Sequence, residues 1–239
     1  RELLNVKKEA LKDVKDLTVV APSKWMANEA RESILFRDFS VKHIPYGIDS
    51  KVFKPLDKEF SREVLDITKD KLVILFVAED TKNKRKGFDY LQKALEQINF
   101  SNTLLLSIGK KGYNNKNTKS IVNFGTVRDE LLMSVLYSAA DVFIIPSILD
   151  NLPNTVIESL MCGTPVIGFP AGGIPEMIQN GKNGYITDNI SVPALQMTIE
   201  KFINDTTNFS RAQIRNDAMQ KYDLPIQAKA YIELFKSLL

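Results

Sequence analysis

Residues 141–176 read DVFIIPSILDNLPNTVIESLMCGTPVIGFPAGGIPE, and this stretch decides the fold. The apolar run at residues 142–145 predicts a buried strand, which Pro146 ends. A polar turn follows over residues 150–154, and a helix is predicted to begin near Pro153, because proline is favoured in the first turn of a helix. The stretch is therefore predicted to form a strand, loop and helix unit.

Glu158 is the unusual residue of the predicted helix. Its neighbours in that helix are apolar: Val156, Ile157, Leu160, Met161 and Cys162. Little solvated surface remains for a carboxylate, and burying an ionised carboxylate without partners is costly. We therefore expect hydrogen-bond donors, from the protein or from a ligand, beside Glu158.

A second acid, Asp150, precedes Glu158 with seven residues between them. It lies at the carboxyl end of the predicted strand, where open parallel sheets place their ligand crevice, so both acids are expected in one crevice. A short strand at residues 165–168, the glycine pair Gly172 and Gly173 and a turn at residues 174–178 follow. Because glycine lets the main chain approach a ligand closely, the sequence predicts a pocket rimmed by backbone amides.

Strands and helices alternate on both sides of this unit. Further strands are predicted at residues 18–21, 41–44, 72–78, 103–108, 121–124 and 185–187. Helices are predicted at residues 1–16, from Ser23 onward, and at residues 87–98, 129–139, 192–203, 210–221 and 225–239. This alternation predicts an α/β fold with a doubly wound parallel sheet.

The chain resembles the retaining glycosyltransferases of family 4, which have the GT-B fold. The resemblance rests on the order acid, seven residues, Glu, from Asp150 to Glu158, and on CGTPVIGFPAGGIPEMI at residues 162–178. It implies a Rossmann-like half of a GT-B fold that transfers a sugar, with retention, from a nucleotide-diphosphate sugar to a hydroxyl acceptor. The competing interpretation is an ordinary α/β unit in which Asp150 caps a helix and Glu158 bonds the backbone.

The resemblance also implies a division of the chain. Residues 1–45, with VVAPSKWMANEA, resemble the end of the acceptor domain, and YGIDSKVFKP resembles the linker to the next domain. Residues 46–224 are expected to form the donor-binding domain, and residues 225–239 a helix that packs back on the first segment. The chain begins at Arg1 inside a predicted helix, so we interpret it as part of a longer protein that is inactive without its N-terminal domain.

The loop EDTKNKRKGF at residues 79–88 is a candidate diphosphate site. It carries four cations, Lys82, Lys84, Arg85 and Lys86, directly before a predicted helix. Helix amino termini attract anions, and cationic side chains strengthen that attraction, although a solvated basic loop has the same composition. The resemblance assigns Lys86, before Gly87, to the phosphates and Arg85 as a second cation. Most relatives have glycine and arginine where this chain has Ala78 and Glu79, and an inward Glu79 repels diphosphate.

The remaining assignments come from the resemblance. Glu158 is expected to bind the ribose hydroxyls and Asp150 the transferred sugar, with Lys86, Arg85 and Asp150 as the catalytic set. The other expected donor-binding residues are Asn151, Leu152, Asn154, Thr155, Gly172 and Gly173 for sugar and phosphate, and Thr126 and Val127 for the nucleobase. There are two departures: Asp150 replaces the usual glutamate and is shorter, and Pro153 replaces a glycine and lacks an N–H donor.

Composition limits the other classes of function. The 239 residues are 44% hydrophobic and 26% charged, which is typical of a soluble globular protein. No apolar run reaches the length of a membrane span, and no signal peptide is apparent, so a cytoplasmic location is expected. A net charge of +3 favours anionic small ligands or peripheral contact with the inner membrane face, and it falls short of a nucleic-acid-binding footprint.

Metals and cofactors are not expected. The chain has one cysteine, Cys162, and one histidine, His43, which exclude a disulfide framework and a zinc cluster. We interpret His43 as structural. The nucleotide sugar is a substrate, and fixed cations with helix dipoles are expected to act without a metal.

Other functions were compared with the transferase. A non-catalytic nucleotide-binding or interaction module of the same fold stays open, because Asp150 and Glu79 depart from the usual residues. A nicotinamide enzyme is disfavoured because no Gly-x-Gly-x-x-Gly follows the first strand of the alternating pattern. A GT-B epimerase is disfavoured by the acid spacing beside CGTPVI.

Relatives commonly build polysaccharides or glycoconjugates, so a saccharide or lipid-linked acceptor is the expectation.

Overall fold

The computed structural model describes residues 2–98, 102–110, 121–205 and 208–239. The helices are α1 (Glu2–Leu11), α2 (Lys24–Glu32), α3 (Lys58–Val64), α4 (Phe88–Glu96), α5 (Glu130–Ala139), α6 (Asn154–Met161), α7 (Ile174–Met177), α8 (Val192–Asp205), α9 (Arg211–Tyr222) and α10 (Leu224–Leu238). The strands are β1 (Thr18–Ala21), β2 (Ser40–His43), β3 (Leu72–Asp80), β4 (Thr103–Lys110), β5 (Ile121–Asn123), β6 (Val142–Ile145), β7 (Val166–Gly168) and β8 (Gly184–Ile186). One turn of 3₁₀ helix covers Lys84–Lys86.

The main sheet has the strand order β5-β4-β3-β6-β7-β8, and its strands pair in parallel. Successive strands spread outward from β3 in one direction and from β6 in the other, so the winding reverses between these two strands. Open α/β sheets bind ligands at the carboxyl ends of the strands beside such a reversal. The predicted doubly wound parallel sheet is confirmed, and its switch point lies between β3 and β6.

The central strands are buried because their sequences are almost wholly apolar. Residues 73–76 of β3 and all of β6 are at most 3% exposed. Strands with both faces covered by helices need apolar residues on both faces, which gives a continuous run in place of alternation. Polar caps set the helix starts: Asp129 accepts the Leu132 amide at α5, and Ser210 accepts the Gln213 amide at α9.

Two predicted elements differ in detail, and one helix was missed. Pro153 is the N-cap of α6 and precedes the first helical residue. The turn expected at residues 174–178 is the short helix α7. Helix α3 was not predicted, because it has only seven residues and most of them are polar; Asp57 caps it by accepting the Phe60 amide.

Asp141 is the centre of a charge cluster that α3 brings to the amino end of β6. Its carboxylate accepts hydrogen bonds from the Arg62 guanidinium at 2.8 Å, the Lys58 ammonium at 2.5 Å and the Val73 amide at 2.7 Å. The Arg62 side chain is 5% exposed. Arg211 lies nearby: burial lowers its pKa, and the Asp141 charge opposes that shift. The cluster lies at the amino ends of β3 and β6, opposite the carboxyl edge where the ligand crevice is expected.

The first segment is attached to the main sheet through the amino end of α2. Glu176, on α7, accepts the main-chain amides of Lys24 at 2.8 Å and Trp25 at 2.6 Å. Ser23 caps the same helix and donates its hydroxyl to the Asn151 side-chain oxygen at 2.5 Å. The carboxylate thus supplies the negative charge that a helix amino terminus favours.

The division at residues 45 and 224 stays a prediction, as does the packing of the last helix on the first segment. At the junction, the Ile48 amide donates to the Tyr222 carbonyl at 2.8 Å, and the Leu224 amide donates to the Ile48 carbonyl at 3.1 Å. His43 is exposed, and its Nε2 atom lies 3.2 Å from the Pro22 carbonyl oxygen.

Candidate active site

Lys86 and Asp150 meet at the switch point, one from the loop after β3 and the other from the loop after β6. The Lys86 ammonium lies 2.7 Å from the Asp150 carboxylate, and their side chains are 30% and 16% exposed. Gly87 makes this approach geometrically feasible: its φ is +69°, and a methyl group there would lie 1.8 Å from the Pro146 carbonyl oxygen. The crevice predicted for Asp150 therefore contains the predicted phosphate lysine as well.

The cleft around this ion pair has a volume of about 310 Å³. It is lined by Trp25, Met26, Arg85, Lys86, Leu149, Asp150 and Asn151. Arg85 is exposed, and its carbonyl accepts the Ile148 amide at 2.9 Å, which joins the basic loop to the loop after β6. The predicted cations and the predicted sugar-binding acid thus share one cleft. Trp25 and Met26 were not among the predicted site residues.

The amino end of α6 faces the loop that carries Asp150. The Asn151 amide donates to the Asp150 carboxylate at 3.1 Å, and Leu152 is buried. Asn154 is exposed and Thr155 half-buried in the first turn of the helix. No side chain in the described ranges caps α6. Free first-turn amides attract anions. The predicted contacts of these residues with sugar and phosphate stay predictions.

Gly172 and Gly173 approach the acid loop itself. A methyl group at Gly172, where φ is +55°, would lie 1.8 Å from the Asp150 carbonyl oxygen, and one at Gly173 would lie 1.9 Å from that of Asn151. The Gly173 amide also donates to the Asp150 carbonyl at 3.2 Å. The sequence predicts that this glycine pair lies close to a ligand. In the structure, both positions require glycine because the protein's own backbone lies against them. A contact with the donor stays a prediction.

The Gly172→Ala variant is expected to displace the Asp150 loop and to lose stability and nucleotide affinity together. Gly181→Ala is the matched control, because Gly181 also has a positive φ, +76°, but has open space around its Cβ position. The control loses only the left-handed backbone preference, about 1–2 kcal/mol. Urea unfolding and nucleotide titration measure both losses. Equal losses in the two variants would contradict the role of the Asp150 contact.

Glu158 is half-buried, and a tyrosine holds its carboxylate. The Tyr137 hydroxyl donates to Glu158 Oε2 at 2.9 Å. Burial raises the pKa of Glu158, the Tyr137 hydrogen bond partly lowers it, and the Glu130 charge raises it further. No cationic side chain of the described residues lies within ion-pair distance. The expectation of a donor beside Glu158 is confirmed, and the donor is neutral.

A second cleft at the carboxyl edge contains Glu158 and has a volume of about 330 Å³. It is lined by Phe53, Val77, Ala78, Glu79, Ile108, Gly109, Thr126, Val127, Arg128, Glu130, Met133 and Glu158. The cleft therefore brings together the residues predicted for ribose and base. Asp150 and Glu158 were expected in one crevice, but they line separate clefts, because Asp150 lies in the loop after β6 and Glu158 lies more than one turn inside α6. The Glu79 side chain is 88% exposed, and its carboxylate lies 3.7 Å from the Lys110 ammonium, so it faces solvent more than the cleft.

Comparison with known protein families identifies the family of this chain. The profile of the family described as glycosyl transferases group 1 matches residues 57–221, which include Lys86, Asp150 and Glu158. The chain belongs to this family. The resemblance drawn from the sequence is confirmed at this level.

Curated relatives of this group 1 glycosyl transferase are distant. A D-inositol 3-phosphate glycosyltransferase of Paenarthrobacter aurescens is 29% identical over 156 residues, covering 60% of this chain and 38% of the relative. An uncharacterised glycosyltransferase of Methanocaldococcus jannaschii is 26% identical over 188 residues, covering 73% and 47%. The chain thus spans less than half the length of these relatives.

Solved structures share the fold. Sucrose-phosphate synthase of Thermosynechococcus elongatus has a TM-score of 0.84 at 23% identity, over 100% of this chain and 62% of that one. HepE of Anabaena, solved with UDP and glucose, has a TM-score of 0.81 at 20% identity, over 98% and 66%. The structural likeness extends over both the first segment and the main sheet.

Two further findings concern the described residues of the glycosyl transferase. None of their helices combines the length and the apolar character needed to cross a bilayer. Nowhere among them do three or more His, Cys, Asp or Glu side chains cluster as candidate metal ligands. Cys162 is buried at the end of α6, where burial raises the pKa of its thiol to about 12.

Tyr137 is the main residue that sequence reasoning missed. It is the only polar aromatic side chain in α5 and is fully buried. A buried phenol needs a hydrogen-bond partner, and a buried carboxylate needs a donor, so the two requirements could have been matched. Glu176 was missed as well, although it lies within the motif CGTPVIGFPAGGIPEMI.

Proposed function

We propose that the chain forms the donor-binding part of a glycosyltransferase that moves a sugar from a nucleotide-diphosphate sugar to a hydroxyl acceptor. The position of Lys86 and Asp150 in one cleft and of Glu158 in a second cleft, both at the carboxyl edge of the same sheet, carries this proposal. We assign the enzyme to the retaining family 4, because the Asp150 to Glu158 spacing has that family's pattern.

Each of the two clefts is proposed to bind one part of the donor. The cleft of Glu158 has an anionic acceptor for the ribose hydroxyls, and the backbone at Thr126 and Val127 can bond the edge of a base. The cleft of Lys86 and Arg85 supplies positive charge for the diphosphate, aided by the free amides at the start of α6. HepE, of similar fold, was solved with UDP-glucose, which supports a sugar nucleotide as the ligand class.

The Lys86 and Asp150 pair gives both residues a role in transfer. Phosphate oxygens that enter the cleft compete for the Lys86 ammonium, and the Asp150 carboxylate is then available to a sugar hydroxyl. During transfer, negative charge grows on the departing diphosphate, and Lys86 stabilises it. These fixed positive groups are proposed to make a bound metal unnecessary, and no cofactor is required.

The remaining assignments concern the larger protein. We propose an N-terminal acceptor domain beyond residues 1–45, a donor domain over 46–224, and a helix over 225–239 that contacts the N-terminal domain. Exposed apolar residues on α10 support a partner for that helix: Ile232, Phe235 and Leu238. The chain alone is proposed to be inactive, because one wall of the donor pocket cannot position an acceptor or exclude water.

The setting is proposed from the family. A saccharide or lipid-linked acceptor in polysaccharide or glycoconjugate biosynthesis fits a cytoplasmic enzyme that contacts the inner membrane face. The net charge of +3 supports attraction to an anionic surface and gives no reason to propose a nucleic-acid partner.

A non-catalytic nucleotide-binding module is the second candidate. Asp150 is already neutralised by Lys86 at 2.7 Å, and Glu79 stands where most relatives are expected to have arginine. Such a module would bind nucleotide without transferring sugar. Transfer by a form of the protein that has both domains would exclude it.

Calorimetric titration of the chain with UDP, GDP and ADP tests the proposal. Glu158→Gln is expected to weaken binding roughly 10–100-fold, because it removes a charge-assisted acceptor. Glu200→Gln is the control, since Glu200 accepts a hydrogen bond from Gln196 on the surface of α8. Absence of binding at millimolar nucleotide would overturn the site.

The anomeric configuration of the first product, determined by NMR, tests whether transfer occurs with retention.

A further inference from the structure

We propose that Tyr137 is a positioning residue that holds Glu158 Oε2 and thereby directs Oε1 into the cleft for the nucleotide's ribose diol. This inference deepens the proposed function and rests on it. It adds a residue of α5 that touches no ligand itself but sets the orientation of the group that does.

The first step is the asymmetry of the carboxylate. Oε2 accepts the Tyr137 hydroxyl at 2.9 Å, whereas Oε1 has no hydrogen-bond partner among the described residues. Among the described residues, the side-chain oxygens that are both buried and without a hydrogen-bond partner are Ser107 Oγ and Ser147 Oγ. Glu158 Oε1 has no partner but is not one of these buried atoms, so it is accessible from outside the protein. Glu158 lines the cleft that also contains Thr126 and Val127. One oxygen is therefore fixed by the protein, and the other is available to a ligand in the cleft.

The second step is the rigidity of the tyrosine. Tyr137 is fully buried, and its ring packs edge-on against Phe143 of β6, with centroids 5.8 Å apart and planes at 88°. Its carbonyl accepts the Thr164 hydroxyl at 2.6 Å, and the Thr164 carbonyl accepts the Ser159 hydroxyl at 3.0 Å. Both the main chain and the ring of Tyr137 are thus held, so its hydroxyl can impose a direction on Glu158.

This network gives a structural role to the CGTP segment at residues 162–165. Thr164 connects the start of β7 to α5, and Ser159 connects it to α6, the helix that carries Glu158. The motif therefore fixes the donor and the acceptor of the Tyr137 hydrogen bond relative to each other. Loss of the phenol hydroxyl leaves the ring packing intact but frees the carboxylate to rotate.

The charges around Glu158 determine how binding depends on pH. Tyr137 and Glu130 face it from α5, and Arg128 and Glu79 line the same cleft. Cys162 follows the last residue of α6, and its thiol, which interacts electrostatically with Tyr137 and Glu158, is neutral at physiological pH. Burial raises the pKa of Glu158, and the Tyr137 hydrogen bond lowers it. Ribose binding needs the ionised form, so affinity is present above this pKa and lost as pH falls through it. Removing the hydroxyl moves that loss to higher pH.

The test is a pH series of binding by the Tyr137→Phe variant of the whole chain. The probe is the tightest binder among UDP-, GDP- and ADP-linked hexoses, because a sugar diphosphate diester has no proton that titrates between about pH 4.5 and 8. The series starts near the reference pKa of a free glutamate, about 4.3, and extends upward because burial raises the pKa of Glu158. We expect roughly tenfold weaker binding at neutral pH and a midpoint shifted upward. Tyr185→Phe is the matched control, since the Tyr185 hydroxyl donates to Asp205 at 2.9 Å, outside both clefts.

A second comparison separates positioning from general loosening. In the wild-type chain, the 2′,3′-dideoxy form of the selected nucleotide is expected to bind more weakly, and that penalty should shrink in Tyr137→Phe because the two losses are coupled. An unchanged pH midpoint together with an unchanged dideoxy penalty would overturn the inference. If the wild type binds no nucleotide, the proposed function fails instead. If Glu158→Gln removes the diol preference while Tyr137→Phe keeps it, only the inference fails.

Labelling covers the case in which Tyr137→Phe does not fold. With ¹³C at the ζ position of the seven tyrosines, one resonance should follow the Glu158 titration and lose that response in Glu158→Gln. A spectrum in which no tyrosine follows the titration contradicts the hydrogen bond. This measurement uses the native tyrosine and so does not depend on the variant.

Discussion

Replacing Lys86 with alanine is expected to lower the rate of sugar transfer by about 10²–10³-fold in a form of the protein that catalyses transfer. The ammonium lies in the cleft of Asp150 and is 30% exposed, so it is partly shielded from water and its charge acts strongly on an anion there. In the proposed mechanism, charge on the diphosphate grows as the sugar departs, so the loss should fall mainly on kcat and less on nucleotide binding.

Lys84→Ala is the control for Lys86→Ala. It removes the same charge from the same loop, but Lys84 is exposed and is not a lining residue of the cleft. Initial rates at saturating sugar nucleotide are expected to change less than threefold in this variant, an estimate of about 0.6 kcal/mol or less for an exposed charge. Equal rate losses in the two variants would indicate that net charge, not the position of Lys86, determines the effect.

Replacing Asp141 with alanine is expected to lower the free energy of unfolding by about 3–5 kcal/mol. The variant leaves the Arg62 guanidinium, at 5% exposure, without its carboxylate partner and close to the half-buried guanidinium of Arg211. It also removes the acceptor of the Val73 amide, at the start of the central strand β3. Urea unfolding monitored by circular dichroism measures the change.

Glu59→Ala provides the comparison for Asp141→Ala. Glu59 pairs with Lys69 at 2.5 Å, the same separation as the Lys58 and Asp141 pair, but its side chain is 69% exposed. Exposed pairs contribute about 0–1 kcal/mol, so a small loss is expected. If both variants lose the same free energy, burial of the Asp141 cluster does not determine its contribution.

The fold followed from the sequence where one physical requirement dominates. The β3 and β6 sequences are apolar without alternation, and only strands covered on both faces require that pattern. The helices predicted from Asp129 and Ser210 do begin beside these residues, and in the structure each side chain accepts a first-turn amide. The order of strands and helices then left a doubly wound sheet as the expected arrangement, and the site fell at its switch point.

The contacts inside the site could not be predicted in the same way, because they depend on pairs distant in sequence. The Lys86 and Asp150 ion pair joins two loops, and its sequence signal was two separate charges with separate assigned roles. The same limit applies to Tyr137 and Glu158, which are 21 residues apart. Gly172 was recognised as special, but its partner, the Asp150 carbonyl, required the geometry of both loops.

The burial of Cys162 has a practical consequence for fluorescence labelling of this protein. A thiol that is both inaccessible and protonated reacts slowly with maleimides. Fluorophores can therefore be attached to cysteines introduced on the surface, without first replacing the native one. A dye on the first segment and another beyond β8 would then report, by energy transfer, whether an added sugar nucleotide changes the distance between these two parts of the protein.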